Sequence, residues 1–318
     1  MKIALDLMGG DHAPAEILAG AIKWLTESEG QIILVGNEDI INEELVNYEY
    51  DANRLEVVHA SEVIGMDESP AVAMRKKKGA SIVVGSRLVK DGRADAIVSC
   101  GSTGAQMAAA IFILGRMEGI ERPPIMAAIP GSGGQPILLV DVGANVDCRP
   151  MQLLQFALLG QAYASGVLSI SNPRVALLNN GEEESKGNNL SVQSYELLSK
   201  QNNLNFVGNI EGRDLFTGRS DVVVCDGFTG NILLKSLEGL AIFLAGSIKK
   251  ELGKIPSAFA QLDYTQIGGA PLLGVNGISV VCHGSSRREA VCNGLKIAEE
   301  CKKHDIVAKQ LQALSGLA

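Results

Sequence analysis

Short aliphatic runs alternate with longer segments of helical period along most of the chain, and this alternation constrains the fold more than any other feature. Runs such as KIALDL, QIILVG, DAIVSC and DVVVCD have the length and aliphatic content of buried strands. Strands that alternate with helices form crossover units on a parallel sheet. The sequence therefore predicts an α/β fold, with a doubly wound, mostly parallel sheet and helices on both faces.

The same reading locates the individual elements. Further strands are predicted at RLEVVH, PIMAAI, PILLVD, RVALLN, NFVGNI and GISVVC. Helices are predicted at 14–28, 69–91, 104–115, 150–168, 190–200, 230–252 and 285–314. The turn 131–135 between PIMAAI and PILLVD predicts a hairpin at the edge of a smaller second lobe. Because no Pro- or Ser-rich linker divides the chain, we expect residues 1–318 to form two intimately joined α/β lobes.

Composition and charge exclude several classes of function. A net charge of −8 argues against nonspecific nucleic-acid binding, which requires a positive face. The six cysteines form no CxxC pair, and the four histidines are not spaced near them as zinc ligands. No leader precedes Lys2, and no uninterrupted apolar run reaches the length of a spanning helix. We therefore expect a cytoplasmic protein with reduced thiols that does not cross a membrane.

The opening stretch MKIALDLMGGDHAP predicts an anion-binding turn. A strand ends near Asp6, and Pro14 suits the first turn of a following helix. Without side chains at Gly9 and Gly10, backbone amides can approach a bound group closely, with Asp11 beside them. The positive end of the helix points at the same place. An anion is the ligand that this arrangement favours.

A second turn of this kind follows DAIVSC. In GSTGAQ, the hydroxyls of Ser102 and Thr103 precede Gly104 and can cap a helix or bind an anion at its N-terminus. The stretch lacks the lysine of a Walker A loop, and the chain has no GxGxxG with an acidic residue at the ribose distance. Capping alone explains this turn equally well, and nucleotide binding is disfavoured.

The turn VGANVDCRP after PILLVD is rich in acidic and amide groups. Asp141, Asn145 and Asp147 have oxygen atoms that suit a divalent metal, but Asp and Asn also form turns. One turn alone does not supply a full oxygen cage. The structural interpretation is therefore favoured over a metal site.

Three later turns carry further polar groups. Lys186 lies in the loop NGEEESKGNN, where a lysine can hold a phosphate or simply belong to a solvated charged loop. Asp226 ends a strand, and Asn231 and Lys235 follow four residues apart on one helix face. His283 ends the strand GISVVC, a position more often occupied by a structural histidine. Taken together, five polar turns after strands exceed what helix capping requires.

A series of motifs in fixed order then carries a family resemblance. The motifs are ALDLMGGDHAP, SPAVAMRKKKGASI, VSCGSTGA, RPPI, LLVDVGAN, EESKGN, EGRDL, VVVCDGFTGNILLKSLEG, PLLGVNG and CHGSS. From Met1 to at least Glu300 the chain resembles the bacterial phosphate acyltransferase family called PlsX. Cys100 and Ser102 replace the commoner Ala and Asn of that family's SAGNTGA motif.

The resemblance implies a fold like that of phosphotransacetylase and isocitrate dehydrogenase, a homodimer, and no cofactor or metal. The implied reaction transfers a long-chain acyl group from acyl carrier protein to inorganic phosphate. The acyl phosphate product then feeds a membrane glycerol-3-phosphate acyltransferase. Partners would be acyl carrier protein, a second copy of the chain and the membrane surface, with no nucleic acid.

Residue by residue, the resemblance maps a site onto the polar turns. The catalytic candidates are Lys186, Asp226 and Asn231. The substrate-binding candidates are Asp6, Gly9, Gly10, Asp11, Ser102, Thr103, Gly104, Asp141, Asn145, Asn188, Lys235 and His283. We hypothesise that glycine turns cradle phosphate, that Lys186 neutralises it, that Asp226 orients Lys186 or accepts a proton, and that Asn231 donates to an oxyanion. A covalent thioester on Cys100 is the rival route.

Two surfaces complete the hypothesis. A basic run supplies Arg75, Lys76, Lys77 and Lys78 as the dock for an acidic carrier protein, although such runs are more often solvated helix faces. A protruding helical segment near 237–262 has surplus apolar residues for a dimer or core contact, or for lipid with Lys249, Lys250 and Lys254 at the headgroups. The protein would then associate peripherally with the inner face of the membrane.

Alternative functions remain at this point. They are a short-chain phosphotransacylase that uses coenzyme A, a noncatalytic membrane scaffold of lipid synthesis and, less favoured, a hydroxy-acid dehydrogenase on the related fold. The intact lysine, aspartate and asparagine argue against the scaffold.

Overall fold

A computed structural model describes residues 1–131, 134–254 and 268–315 of the chain. The chain divides into two compact units. Among the described residues, the first unit contains 1–117 and 268–307, and the second contains 118–131, 134–254 and 308–315.

The first unit is built on a sheet in which six strands are described. They are β1 (Lys2–Asp6), β2 (Gln31–Gly36), β3 (Leu55–His59), β4 (Ala96–Ser99), β10 (Ala270–Leu272) and β11 (Ile278–Val281). Their order is β10-β11-β4-β1-β2-β3, and β10 alone of these runs antiparallel to its neighbour. Aliphatic side chains such as Ile3, Leu5 and Val98 are fully buried. This burial explains the continuous apolar runs in the sequence.

Helices cover the sheet of the first unit. They are α1 (Ala15–Glu27), α2 (Glu38–Leu45), α3 (Pro70–Lys76), α4 (Ser81–Lys90), α5 (Thr103–Ala109) and α9 (Arg288–Lys303). A π-helical turn, Ala110–Leu114, continues α5. Helix α1 packs on α9, and α4 packs on β1, β2 and β4.

The second unit repeats this plan on a smaller sheet. Its described strands are β5 (Met126–Ile129), β6 (Ile137–Val140), β7 (Val175–Leu178), β8 (Phe206–Ile210) and β9 (Val222–Val224). The order is β5-β6-β9-β7-β8, with β5 antiparallel to β6 and the other pairs parallel. The predicted hairpin is therefore confirmed, although residues 132 and 133 of its turn lie outside the described residues.

The helices that begin in the second unit are α6 (Pro150–Gly166), α7 (Asn189–Ser199) and α8 (Gly227–Leu252). Helix α10 (Ile306–Leu314) follows α9 near the C-terminus. Of the residues of α8, Gly227 and Gly230 are the buried ones in the part of the chain that the structure describes. By length and composition alone, α8 is long and apolar enough to cross a membrane. Residues 255–262 of the predicted protruding segment lie outside the described residues.

The α/β class, the mostly parallel sheets and the ten predicted strands are confirmed, but two predicted helices are wrong in extent. The segment 69–91 forms α3 and α4, separated by 77–80, where Lys77 leaves the helical region and Gly79 follows. The segment 285–314 forms α9 and α10, separated where Asp305 adopts a left-handed φ of 48°. The sequence reading missed α2 and the three-residue β10.

Candidate active site

In the first unit, the polar turns predicted from the sequence follow three neighbouring strands. Strands β11, β4 and β1 lie side by side, and Ser99 is aligned with both Asp6 and Val281. Because the strands are parallel and in register, the turns after them meet at one edge of the sheet. Eight of the predicted binding residues, from Asp6 to His283, lie at the end of β1, in these turns or at the start of α5.

Asp6 is buried at this edge of the sheet and accepts hydrogen bonds from neighbouring groups. Its side chain is 3% exposed; one carboxylate oxygen accepts from Ser99 Oγ at 2.7 Å and the other from the Met8 N–H at 3.2 Å. Burial raises the pKa of Asp6, and hydrogen bonds from Ser81, Ser99 and nearby backbone oppose that shift. We expect Asp6 to position the turns rather than to touch a substrate.

The two glycines allow the turns to approach one another closely. A Cβ on Gly9 would lie 2.7 Å from the backbone nitrogen of Gly101. Gly10 has a φ of 105°, which side-chain-bearing residues rarely adopt, and the next residue, Asp11, donates its N–H to the Gly284 carbonyl at 2.8 Å. Backbone of all three turns is thereby drawn together.

Among the remaining predicted residues of the first unit, one caps a helix and others are exposed to solvent. Ser102 caps α5, with its Oγ accepting from the Ala105 N–H, while Thr103 is exposed. Gly104 lies against Pro70, whose Cγ would be 2.6 Å from an added Cβ. His283 is exposed, and its Nδ1 lies 2.7 Å from Ser285 Oγ. The Thr103 and His283 side chains are thus the more accessible groups.

Cys100, the candidate nucleophile of the rival covalent route, is fully buried beside Cys282. A hydrogen bond with the Cys282 thiol, together with burial and the charge of Asp6, raises the pKa of Cys100 well above its ordinary value. Since the thiolate is the nucleophile, this environment disfavours a covalent intermediate on Cys100.

In the second unit, the polar turns follow β6, β9 and β7, which are again neighbours in the sheet. Asp141 is fully buried and accepts from the backbone N–H groups of Ile125, Gly143, Ala144 and Asn145 and from Asn145 Nδ2, at 2.7–3.2 Å. Burial raises the pKa of Asp141, and these donors oppose the shift. Its carboxylate thus organises the turn.

Asn145 and two glycines join this turn to α8. The Asn145 amide donates to Asp141 and to the Pro123 carbonyl, and its own carbonyl accepts from the Gly227 N–H at 2.7 Å. A Cβ on Gly230 would overlap the Asp141 carbonyl oxygen. Among the described residues there is no group of three or more His, Cys, Asp and Glu side chains able to hold a metal.

Asp226 is the N-cap of α8, and the predicted site residues Asp226, Asn231 and Lys235 differ in their surroundings. The Asp226 carboxylate caps the helix, accepting from the Thr229 N–H and Oγ1 at 2.8 Å each. Asn231 is exposed and lies near Gly143. Lys235 donates to Glu238 Oε2 at 2.8 Å, one turn further along the helix. Both carboxylate oxygens of Asp226 thus accept hydrogen bonds from Thr229. That Asp226 orients Lys186 stays a prediction.

Lys186 lies in a loop that hydrogen bonds hold in place. The Asn179 amide donates to the Lys186 carbonyl at 3.0 Å, and the Lys186 N–H donates to the Glu183 carbonyl at 3.1 Å. The Lys186 side chain is exposed, and within the described residues no salt bridge to it is found. Asn188 caps α7 through the Ser191 N–H. The ammonium group is therefore available to a ligand.

A cavity of about 340 Å³ opens between these loops, entirely within the second unit. Its apolar lining comes from Leu153, Leu177, Leu178, Leu190 and Cys225. Its polar lining comes from Asn179, Asn180, Asn188, Ser191, Asp226 and Thr229, with Gly187 between them. The sequence analysis names Asn188 and Asp226 of this set as site residues, and the family loops that it maps at 186–188 and 226–235 also contain Gly187 and Thr229. The signal for Asn179 and Asn180 is the NN pair formed by the last residue of the run RVALLN and the residue after it.

One of the four cations of the predicted carrier dock forms contacts within the protein itself. Arg75, Lys76 and Lys78 are exposed on or just after α3. Lys77 instead donates to Glu68 Oε1 at 2.6 Å and to the Val63 carbonyl at 2.8 Å. Three of the four predicted cations are therefore free to meet a partner, and Lys77 fixes the preceding turn.

Comparison with known proteins shows the family of the chain. The family model described as "Fatty acid synthesis protein" matches residues 1–309. A phosphate acyltransferase of Syntrophomonas wolfei is 64% identical over 319 residues, covering 100% of both chains. The chain belongs to the phosphate acyltransferase family. A second family member, from Desulforamulus reducens, is 52% identical and covers 99% of this chain and 98% of its own.

Solved structures show the same fold at low identity. A phosphotransacetylase from Streptococcus pyogenes has a TM-score of 0.62 at 20% identity, covering 99% of this chain and 94% of its own. A branched-chain phosphotransacylase from Enterococcus faecalis has a TM-score of 0.63 at 18% identity, with coverages of 96% and 99%. The phosphotransacetylase-like fold expected for this phosphate acyltransferase family member is confirmed.

Proposed function

We propose that this protein transfers a long-chain fatty acyl group from acyl carrier protein to inorganic phosphate, which gives acyl phosphate for phospholipid synthesis. The observation that carries the proposal is the 64% identity, over the full length of both chains, to a phosphate acyltransferase. The polar turns after β1, β4 and β11 and after β6, β7 and β9 supply groups suited to this reaction.

The chemical task is to bring a well-hydrated dianion to a thioester carbonyl. Backbone N–H groups of glycine turns and helix N-termini can hold phosphate without a metal. In the first unit, Gly9, Gly10 and the start of α5 provide such groups. We propose that phosphate binds there and that Thr103 and His283 are the side chains nearest to it.

In the second unit, Lys186 is the group suited to stabilise negative charge. Its ammonium would neutralise phosphate and the charge that grows on the carbonyl oxygen in the transition state. Asn231 is exposed one turn into α8 and would donate to the same oxyanion.

The remaining proposals concern partners. Arg75, Lys76 and Lys78 would attract an acidic carrier protein through charge complementarity. Helix α8 exposes large apolar residues, namely Phe228, Ile232, Leu240, Ile242, Phe243, Leu244 and Leu252. We propose that part of this surface is covered in a homodimer and that the end near Lys249 and Lys250 contacts lipid. A cytoplasmic protein bound peripherally to the inner membrane face would thus release its product near the next acyltransferase.

One assay tests the proposed reaction. Purified protein is incubated with palmitoyl carrier protein and phosphate, without added metal or nucleotide, and acyl phosphate is trapped as a hydroxamate. We expect hydroxamate that depends on both substrates. Activity with acetyl coenzyme A and none with the palmitoyl carrier would instead support a short-chain phosphotransacylase, and no product from either donor would support a scaffold.

A further inference from the structure

We propose that the cavity between Asn180, Leu190 and Asp226 in the second unit binds the uncharged, amide-bearing arm that carries the donor's thioester, a chain of the pantetheine type. The inference rests on the proposed function, because it assumes an acyl thioester donor. It assigns a ligand class to a cavity lined by the ends of β7 and β9 and the starts of α7 and α8.

The size and apolar side of the cavity exclude phosphate as its main occupant. Cavities of about 300 Å³ and more take small organic ligands, whereas a single phosphate would leave most of this space of about 340 Å³ unfilled. Four leucines form much of its lining. Leucine side chains favour methyl and methylene groups, which a phosphate ion lacks.

The polar lining is neutral apart from one carboxylate. The residues that line the cavity include Asp226 but no Lys, Arg or His; Lys186 is adjacent in sequence to Gly187 but is outside the lining. An anionic ligand in the cavity would therefore be repelled by the Asp226 carboxylate, and no cation of the lining would offset that repulsion. A neutral ligand avoids that repulsion.

The free hydrogen-bonding groups of the cavity match amides. The carboxamide of Asn179 is committed to the Lys186 carbonyl and the Asn180 N–H, and Asn188 Oδ1 accepts from Ser191. For the carboxamide of Asn180, no hydrogen bond to any described residue is found. The Asn188 amide nitrogen and the first backbone N–H groups of α7 also lack partners within the helix. These groups can pair with the amides and hydroxyl of a pantetheine-type arm.

Two substitutions change the cavity without touching the catalytic candidates. Leu190→Trp fills its apolar side from a half-buried position, and Asn180→Leu removes its free carboxamide. Gln193→Trp, exposed on the same helix and outside the lining, is the matched control. Activity is measured with decanoyl thioesters of pantetheine, coenzyme A, carrier protein and N-acetylcysteamine, the last of which lacks most of the arm.

We expect both cavity variants to lower kcat/KM by roughly tenfold for the three donors that carry the full arm, and by less than about twofold for N-acetylcysteamine thioester. The control should leave all four values unchanged. An equal loss with every donor, no loss with any donor, or a loss confined to carrier protein would overturn the inference.

Direct binding separates this inference from the proposed function. Calorimetry with free pantetheine should show binding to the wild-type protein that Leu190→Trp weakens and Gln193→Trp does not. If acyl phosphate forms normally but pantetheine does not bind, the inference fails alone. If no acyl phosphate forms from any donor while pantetheine binds as expected, the proposed function fails and the cavity assignment stands.

Discussion

Lys77 Nζ lies 2.6 Å from Glu68 Oε1 and 2.8 Å from the Val63 carbonyl, so this lysine fastens the turn before α3 to the residues after it. Its neighbours Arg75, Lys76 and Lys78 are exposed. In this basic run, therefore, one cation forms an intramolecular ion pair and the other three face solvent. The two roles are separable by mutation.

Charge reversal of the exposed cations should weaken encounter with the proposed partner, the acidic acyl carrier protein. We expect Arg75→Glu with Lys78→Glu to raise the KM for acyl carrier protein by about tenfold at low salt, because complementary charge speeds association. The increase should shrink as salt rises. Steady-state kinetics at several ionic strengths measure it. Lys303→Glu, on α9, is the control, and an unchanged KM in the double variant would place the dock elsewhere.

Removal of the Lys186 ammonium should impair catalysis without impairing folding. The side chain is exposed, so Lys186→Ala should keep the wild-type thermal transition while losing about 10²-fold in kcat/KM. Lys200→Ala, an exposed lysine at the other end of α7, should be close to wild type. Near-normal turnover in Lys186→Ala would remove this lysine from the mechanism.

Asp141 should be a stability determinant of the second unit. Its buried carboxylate accepts five N–H hydrogen bonds, and Asp141→Ala would leave those donors without a partner. We expect a loss of about 3 kcal/mol or more in the free energy of unfolding, measured by urea denaturation. Asp147→Ala, in the same turn, should cost far less. Equal costs for the two variants would contradict this assignment.

Two glycines of α8 should respond oppositely to the same substitution. Gly230→Ala places a Cβ on the Asp141 carbonyl and should destabilise the protein by about 1–3 kcal/mol. Gly239→Ala meets open space and should stabilise it by about 0.5–1 kcal/mol, since alanine is the better helix former. Thermal unfolding measures both. Destabilisation by Gly239→Ala would indicate that a partner covers that face of α8.

The ion pair between α1 and α9 should make stability fall in acid. Arg288 hydrogen bonds lower the pKa of Glu16 to about 2, below its ordinary value of 4.5. Because the folded-state pKa is the lower one, this stabilisation is present above about pH 4.5 and is lost as pH falls towards 2. We expect Glu16→Gln to cost about 1 kcal/mol at pH 7 and nothing near pH 2. A pH-independent cost would contradict the linkage.

The sequence predicted the strands and the polar turns because both are local properties. A buried strand such as β4 needs a continuous aliphatic run, and the turn after it needs glycine or a capping hydroxyl. The break between α3 and α4 was missed because 69–91 keeps a helical period through it, while Lys77 bonds backward to Glu68. The commitment of Asp141 to five donors depends on folded geometry that spacing does not encode.

Other parts of the site depend on contacts between distant segments. Asn180 and Leu190 line one cavity with Leu153 only because α6 and α7 pack together. Nothing local marks Leu153 as a lining residue, because its pattern is that of any core leucine. Polar groups at strand ends can thus be predicted from a sequence, whereas the apolar residues that line a cavity with them cannot.

In the described part of the chain, the buried residues of helix α8 lie in its first turn. Its helical content should therefore depend on protein concentration. A single helix in water gains little from its own backbone hydrogen bonds and persists chiefly through what it packs against. The far-ultraviolet ellipticity of the purified protein should therefore weaken as the subunits of the proposed homodimer separate at nanomolar concentration, and vesicles should restore it.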